Sequence, residues 1–335
     1  MSIQQLDVRR DSLRLAGGSV EPIVSAHALM AALDQEEIEL YRPLLPVGYD
    51  SVARAYACAV QSITADDLSH HYTRGLEFFH GEFTPALKRR LEFLAGGAWD
   101  LDDFTAYAGG SDVDLMTHLI EAIAARGPVH LYPGDWFGFL VGSTHPQNIR
   151  WNSRAEGRLA CLCVPSVRNG HFTDDMAAFA ESASANLLNL NLFPTLVAAE
   201  RHAVARRLTP LLPKAILSIS FSRGFGMTTA QLGVFLIHRD HPWRSRFEQQ
   251  WNWFTYFYNA IAAKAFLEIE LSALAAVDAA RRAWVHDWLE SRGLPAVTTG
   301  SHYVKAFHVD GPIPERLSPL ARDGLVRLCF KPPQT

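Results

Sequence analysis

The middle of the chain alternates between short apolar runs and amphipathic helical patterns. Four runs have the length and the content of buried strands, at 129–132, 158–164, 215–221 and 234–237. Before the first of these runs, one helical segment has an apolar stripe, which consists of Leu115, Met116, Leu119, Ile120 and Ile123. Strands that alternate with helices in this way predict a mainly parallel sheet flanked by helices.

The two ends of the chain have a different pattern. Residues 26–33 and 51–60 have helical spacing, and residues 246–292 are predicted to be helical. Two strand-like segments follow at 303–309 and 324–330. We therefore expect an α/β fold with a large lobe around the parallel sheet and a second, small α+β lobe.

The same patterns predict where the lobes begin and end. Residues 1–75 are predicted to form an N-terminal arm and part of the small lobe, and residues 76–244 the large α/β lobe. Residues 245–335 are predicted to contain the long helix and the C-terminal small lobe.

Composition limits the classes of function. The chain has 335 residues, a net charge of -4, 48% hydrophobic residues and 20% charged residues, which is typical of a globular protein. No strongly basic character favours a nucleic-acid partner. The sequence contains no apolar run of membrane-spanning length and no apolar segment of a secretory signal near Met1, so we expect a cytoplasmic protein.

Four cysteines are too few and too scattered for a metal site or a disulfide framework. Cys161 and Cys163 are two residues apart in a predicted strand and so share one face, with Leu162 on the other. Two thiols on one face fall short of a ligand set, and we expect buried apolar thiols and no metal.

The best candidate for a site loop is the segment between the last two apolar runs, Ser218-Ile-Ser-Phe-Ser-Arg-Gly-Phe-Gly-Met-Thr-Thr-Ala-Gln-Leu-Gly233. Serine and glycine are concentrated there, which indicates a tight turn between two strands where the backbone closely approaches a ligand or another segment. The segment resembles the Ser-x-Ser-Lys-x-x-Gly-x-x-Gly-x-Arg-x-Gly signature of fold-type I pyridoxal-phosphate aminotransferases. Ser220 and Ser222 match its serines, and the resemblance extends more weakly over residues 70–330.

Two chemical residues of that signature differ in this chain. Arg223 stands where the family has the lysine of the Schiff base, and Gln231 where it has the arginine that holds the cofactor phosphate. A Schiff base needs a neutral amine, and a guanidinium stays protonated, so Arg223 cannot take the covalent role. Arg223 can instead present a planar fork of donors to a carboxylate or phosphate.

The resemblance implies further cofactor contacts. It assigns the cofactor phosphate to Gly110 and Ser111, at the start of a predicted helix whose positive end favours anions. Asp112 and Asp114 lie at the same end of the helix, and their negative charges partly compensate its positive end. The pattern therefore fits a capped core helix as well as a phosphate site. After the next strand, Trp136 or Phe137 would stack on the cofactor ring, although an aromatic cluster also fits a core.

Other positions follow from the same resemblance. Asn189 or Asn191 stands where the family carries the aspartate that pairs with the pyridine nitrogen, and an amide cannot replace that charge. Asn169 lies near the position of the partner of the ring oxygen, and Arg327 falls on the arginine that grips the substrate carboxylate. Tyr72 has the spacing of a tyrosine that reaches the cofactor of the neighbouring subunit, which implies a homodimer.

Three functions remain open from the sequence. In the first, the chain is an aminotransferase-like enzyme of biosynthesis that has been repurposed to act on a small carboxylated, amino-acid-like metabolite, without covalent cofactor chemistry. In the second, pyridoxal or pyridoxamine phosphate binds noncovalently. In the third, the chain is a catalytically silent binding protein or partner subunit.

Overall fold

The computed structural model of the protein describes residues 21–135, 137, 140, 142–228, 232–245, 247 and 256–332; the side chains of 71, 72 and 256–258 lie outside this description.

The larger sheet of the described structure has seven strands: β2 (Phe104–Gly109), β3 (Val129–Leu131), β4 (Ile149–Trp151), β5 (Leu159–Cys163), β6 (Ala185–Asn189), β7 (Ala215–Ser220) and β8 (Gly233–His238). Their order across the sheet is β2-β8-β7-β6-β5-β3-β4. Strand β8 is antiparallel to both its neighbours, and the other adjacent pairs are parallel.

Both faces of this sheet are covered, which explains why its strands are almost continuously apolar. Strands β5, β6 and β7 are buried along their whole length. Cys161 and Cys163 lie in one apolar cluster and Leu162 in the other, so the predicted alternation of faces is confirmed. None of the four cysteines forms a disulfide, and Cys58, unlike the expectation for buried thiols, is exposed.

Helices pack on both faces of the sheet. They are α6 (Thr84–Leu94), α7 (Asp112–Ala124), α8 (Asp174–Glu181) and α9 (Ala198–Leu208). The predicted stripe of α7 is buried against the sheet, and the Ser111 hydroxyl caps the helix by accepting the N–H of Asp114 at 3.0 Å.

The N-terminal part is helical, as predicted. Its elements are α1 (Ala26–Ala32), α2 (Gln35–Tyr41), α3 (Asp50–Gln61), α4 (Ala65–Ser69) and α5 (His71–Phe78), and a π-helical turn at Phe79–Phe83 joins α5 to α6. Between α2 and α3 the chain has no regular structure, and this segment, residues 42–49, lies over the carboxyl edge of the large sheet.

A second sheet combines both ends of the chain. It contains β1 (Ile23–Ser25), β9 (Val304–Asp310), β10 (Ala321–Arg322) and β11 (Leu325–Cys329), in the order β1-β9-β11-β10. Together with the large sheet, it confirms the predicted α/β class with a mainly parallel sheet flanked by helices. The predicted domain boundaries at 75/76 and 244/245 stay predictions.

The helical stretch predicted over 246–292 contains a break. Its described part forms two helices, α10 (Tyr256–Glu268) and α11 (Leu271–Ser291), and Glu270 between them is extended. The second helix begins in the same apolar cluster as the first, at Leu274, and ends in a different one. Phe266 of α10 packs in the cluster beneath the large sheet, whereas Trp288 of α11 packs against the second sheet. No helix in the described ranges is both long enough and apolar enough to cross a membrane.

Buried polar groups join α11 to the rest of the chain. Asp278 accepts a hydrogen bond from the Tyr49 hydroxyl at 2.5 Å, and burial raises the pKa of Asp278 to about 6. The Arg281 guanidinium donates to the Gly48 carbonyl at 2.7 Å and stacks on the Tyr49 ring. Through these contacts α11 holds the end of the 42–49 segment in place.

Replacing Asp278 by asparagine should change how stability depends on pH. Because burial raises the pKa of the folded-state carboxyl, the contribution of Asp278 to stability is present below about pH 4 and is lost as the pH rises through about 6. Relative to Asp278→Asn, the wild type should therefore lose about 3 kcal/mol of unfolding free energy between about pH 4 and about pH 7. Urea denaturation of both proteins at several pH values measures this difference. A difference that stays constant, or that moves in favour of the wild type with rising pH, contradicts the assignment.

Candidate functional site

A cavity of about 740 Å³ lies where the parallel strands of the large sheet end. Strands β5, β6 and β7 end at Cys163, Asn189 and Ser220, and all three residues line it. The first turn of α7 forms one wall. The 42–46 segment and the hairpin of β10 and β11 close the opposite side. The carboxyl edge of a parallel sheet is the usual location of ligand sites in open α/β folds.

Six of the predicted site residues meet in this cavity, although they come from distant parts of the sequence. They are Asn189, Asn191, Ser220, Ser222, Arg223 and Arg327. Asn189 ends β6 and Ser220 ends β7, and Asn191 and Ser222 lie two residues beyond them, so their convergence follows from the parallel pairing of β6 with β7.

Other predicted residues lie elsewhere. Asn169 is buried away from the cavity lining, where its amide nitrogen donates to Glu21 at 2.5 Å and its oxygen accepts the N–H of His171 at 3.0 Å. Ser111 caps α7, and neither Ser111 nor Gly110 lines the cavity.

Three predicted residues cannot be placed fully. Trp136 and Gln231 lie outside the described residues, and of Tyr72 only the backbone, in α5, is described. The alternative platform, Phe137, is buried in the apolar cluster beside Trp151 and does not line the cavity.

Arg223 lies in the turn that follows β7, and contacts with distant segments determine its position. Its guanidinium donates to the Leu44 carbonyl at 2.5 Å, and its backbone N–H approaches the Asn191 side-chain oxygen at 3.4 Å. The Nε atom is buried and has no hydrogen-bond partner among the described residues. Burial lowers the pKa of Arg223.

Arg322 and Arg327 approach the cavity from the hairpin of the second sheet. Arg322 pairs with Leu325 across the antiparallel strands, and Arg327 is two residues beyond Leu325, so both arginines point to the same face. Burial, and then the neighbouring Arg327 guanidinium, lower the pKa of Arg322. Arg327 donates to the Val167 carbonyl at 3.0 Å and to the Arg42 carbonyl at 3.3 Å.

Sequence reasoning missed Arg322, although a signal for it exists. Asp323-Gly324 is the dipeptide most typical of a tight hairpin, and both residues have positive φ, 46° and 80°. A hairpin assigned there would have placed Arg322 on the same face as Arg327. Asp112 was noted only as a charge at the start of the helix; in the structure it lines the cavity.

The cavity lining therefore contains more positive than negative groups, four arginines (Arg42, Arg223, Arg322 and Arg327) and one carboxyl, that of Asp112. The Nε atoms of Arg223, Arg322 and Arg327 are all without a hydrogen-bond partner in the described part of the chain. No ion pair within 4.0 Å joins any of these three guanidinium groups to a carboxylate among the described residues. Arg223 and Arg327 donate to backbone carbonyls through their terminal nitrogens, and an anionic ligand would supply acceptors for the Nε atoms that have none.

No family model matches the sequence, and no curated protein matches it either. Solved structures match over most of the chain. An aromatic amino acid aminotransferase with 3-indolepropionic acid has a TM-score of 0.59 at 14% identity, covering 94% of each chain. A tetra mutant of Thermus thermophilus aspartate aminotransferase has a TM-score of 0.57 at 15% identity, covering 89% of this chain and 94% of that one.

A third match is histidinol-phosphate aminotransferase from Sinorhizobium meliloti in complex with pyridoxal-5′-phosphate. It has a TM-score of 0.53 at 17% identity and covers 85% of this chain and 84% of that one. At these identities the matches show that this chain has the fold of fold-type I aminotransferases.

The residues of this cavity do not fit a pyridoxal phosphate group. The described lining contains no lysine, and the Lys214 and Lys305 amines donate to backbone carbonyls elsewhere. Asn189 and Asn191, the two candidates that the resemblance gives for the pyridine partner, are both amides, and the Asn189 side-chain oxygen already accepts the N–H of Asn191 at 3.0 Å. What remains is a set of cationic and neutral donors that can bind an anion and stabilise negative charge on it.

The turn that carries Arg223 depends on the absence of a side chain at Gly226. Its φ is +64°, and an added Cβ would lie 1.6 Å from the Tyr49 ring. Gly226→Ala should therefore destabilise the protein by more than about 2 kcal/mol, because the overlap adds to the cost of the left-handed backbone. Urea denaturation measures the loss.

Gly97 provides the matched control for this substitution. It has a similar φ of +73° but no atom within 4 Å of an added Cβ. Gly97→Ala should cost only about 1 kcal/mol, the backbone cost alone. Equal losses for the two variants would show that the contact with Tyr49 does not hold the turn.

Proposed function

We propose that the chain is a repurposed biosynthetic enzyme of aminotransferase fold, which binds a small carboxylate-bearing, amino-acid-like metabolite in this cavity. Binding uses the arginines and not a Schiff base. The observation that carries the proposal is the set of three guanidinium groups, on Arg223, Arg322 and Arg327, with unpartnered Nε atoms and no ion pair to a carboxylate in the described chain.

The arrangement favours a ligand with two negative groups. Arg322 and Arg327 lie side by side on the hairpin and would together bind one carboxylate. Arg223 lies on the loop of the large sheet, beside neutral amide and hydroxyl groups, and would bind a second anionic or polar group. A cavity of about 740 Å³ has the size of ordinary small-molecule sites.

In this proposal Arg223 acts as the catalytic electrostatic group. Its guanidinium would stabilise negative charge that develops on the bound ligand, and burial strengthens that interaction because little water screens it. The Asn191 side chain and the Leu44 carbonyl hold the Arg223 loop and so orient the group. The homodimer expected from the resemblance is kept as part of the proposal, with Tyr72 as a wall of the ligand site in place of its role toward a cofactor.

Arg327→Ala should weaken binding of a carboxylate ligand by about 2 to 4 kcal/mol, the loss typical of a buried charged partner. We would measure binding by isothermal titration calorimetry with a panel of monocarboxylates, dicarboxylates and amino dicarboxylates. The wild type should bind the members with two carboxylates more tightly than the monocarboxylates, with an affinity that falls as salt is added.

Arg316→Ala is the matched control for that loss. Arg316 lies between β9 and β10 in sequence and also donates to a backbone carbonyl, that of Leu33, but it does not line the cavity. Its substitution should leave carboxylate binding unchanged. The proposal is wrong if the wild type binds no carboxylate of the panel, or if both arginine variants lose binding equally.

A further inference from the structure

The 163–168 segment forms part of the cavity wall and holds one of the cavity arginines. It begins at the end of β5, and its residues Cys163, Pro165 and Val167 line the cavity. The Val167 carbonyl accepts a hydrogen bond from the Arg327 guanidinium at 3.0 Å. The position of this carbonyl therefore helps to determine where Arg327 points.

The same segment also holds the hairpin that carries Arg322. The Arg168 guanidinium donates to the Asp323 carbonyl at 3.0 Å, and its Nε atom lies 3.2 Å from the Asp323 carboxylate. Asp323 directly follows Arg322, in the turn between β10 and β11. Both arginines of the hairpin are thus connected to the 163–168 segment, one by a backbone carbonyl and the other through the turn beside it.

One buried carboxyl, that of Asp135, holds the 163–168 segment in turn. Asp135 is only 2% exposed, and it follows β3, the strand that pairs with β5. Its Oδ2 atom accepts the Cys163 N–H at 2.7 Å. Its Oδ1 atom accepts the Val167 N–H at 3.1 Å and the Ser166 hydroxyl. Three donors of one segment converge on this carboxyl, although Asp135 itself does not line the cavity.

Such a set of donors requires an ionised carboxylate. A carboxylate has acceptors on both oxygens and no donor, whereas a protonated carboxyl or an amide has a donor on one side. That donor would face either the Cys163 N–H or the donors of Ser166 and Val167. Burial raises the pKa of Asp135 to about 7, and these three donors, together with the Arg168 guanidinium, act against the rise.

We propose that Asp135 is a positioning residue of the cavity, which orients Arg322 and Arg327 by fixing the segment that holds them. The inference rests on the proposed function, because it concerns how the two arginines that would bind one carboxylate are kept in place. Two guanidinium groups bind one carboxylate well only when their relative positions fit its two oxygens. Asp135 would therefore affect affinity without touching the ligand.

The first test is calorimetric titration of Asp135→Asn with the dicarboxylates of the panel at about pH 8. The substitution keeps the size of the side chain and replaces one acceptor by a donor. Affinity should fall by on the order of tenfold relative to the wild type. In an Arg327→Ala background the same substitution should cause a clearly smaller loss, because one of the groups that it orients is gone. An equal loss in both backgrounds overturns the inference.

Asp175→Asn is the matched control. Asp175, in the first turn of α8, is also a carboxyl that accepts two hydroxyl hydrogen bonds, from Tyr132 and Thr173. Tyr132 directly follows β3, so this control alters the same strand end, but neither of the two bonds involves the 163–168 segment. Asp175→Asn should bind the dicarboxylates as the wild type does, and an equal loss in both aspartate variants contradicts a specific role of Asp135.

The pH dependence of binding separates positioning from a merely structural role. Because Asp135 loses its charge as the pH falls through about 7, wild-type affinity should decrease between about pH 8 and about pH 6, towards that of Asp135→Asn. The affinity of Asp135→Asn should change little. A residue with only a structural role would alter stability and leave this profile unchanged.

The groups around Asp135 do not produce the same profile. The charged and titratable side chains near it are those of Tyr132, Arg168 and Arg322. The guanidinium groups keep their charge, and burial raises the pKa of the Tyr132 hydroxyl further above this range. Protonation of Asp112, which lines the cavity, would remove a negative charge and strengthen anion binding as the pH falls, which is the opposite direction.

Hydrogen exchange measured by mass spectrometry tests the inference without a ligand. In Asp135→Asn, peptides from the 163–168 segment and from the hairpin of β10 and β11 should exchange severalfold faster than in the wild type, and peptides from β6 and β7 should not change. Arg168→Ala leaves the buried carboxyl intact and should accelerate exchange in the hairpin alone. This second variant keeps the test available if Asp135→Asn does not fold, which circular dichroism shows.

The outcomes are separable. Unchanged exchange of the hairpin in both variants overturns the inference, as does a folded Asp135→Asn that binds dicarboxylates as tightly as the wild type. A wild type that binds no carboxylate of the panel contradicts the proposed function instead, and the exchange experiment still decides whether Asp135 positions the hairpin.

Discussion

Buried guanidinium groups impose the strongest constraint on this structure. A guanidinium cannot be neutralised, so each buried one needs acceptors from the protein or from a ligand. The 42–48 segment supplies several of them through its backbone. The carbonyls of Arg42, Leu44 and Gly48 accept hydrogen bonds from Arg327, Arg223 and Arg281, respectively. A segment without regular secondary structure is thereby held over the carboxyl edge of the large sheet.

These hydrogen bonds connect parts of the fold that are far apart in sequence. Arg327 belongs to the second sheet, Arg223 to the loop after β7, and Arg281 to α11. Tyr303 adds a further contact, because its hydroxyl accepts the N–H of Val47 at 3.2 Å. The 42–48 segment therefore contacts both sheets and α11. These contacts fix the position of the segment over the cavity. The Nε atoms that remain unpartnered point to the anionic ligand of the proposed function.

The departures from the pyridoxal-phosphate signature form a consistent set. By the resemblance, an arginine stands in place of the lysine, which would remove covalent chemistry, and an amide stands at the position of the pyridine partner, which would remove the charge that stabilises a protonated ring. Each change concerns one contact of the cofactor, whereas the strands that position these residues keep the order of the fold. The fold is thus retained because it places loops at one sheet edge, independently of which chemistry those loops carry.

The sequence alone determined the elements whose pattern is strong and local. Apolar runs and their alternation identified β3, β5, β7 and β8, the stripe and cap of α7, and the face shared by Cys161 and Cys163. The resemblance to the family signature singled out Arg223 in the serine- and glycine-rich loop, and the resemblance of the last segment singled out Arg327. Tertiary structure decided what depends on contacts between distant segments. It put Asn169 against Glu21 and away from the cavity, it placed Arg322 beside Arg327, and it divided the helical stretch of 246–292 at the extended Glu270. It also turned Asp112 from a charge at a helix start into a buried group facing Arg223. The periodicity of the sequence shows which side of a helix or strand is apolar. It does not show which charged side chains come into contact, because that depends on how the sheet brings the ends of its strands together.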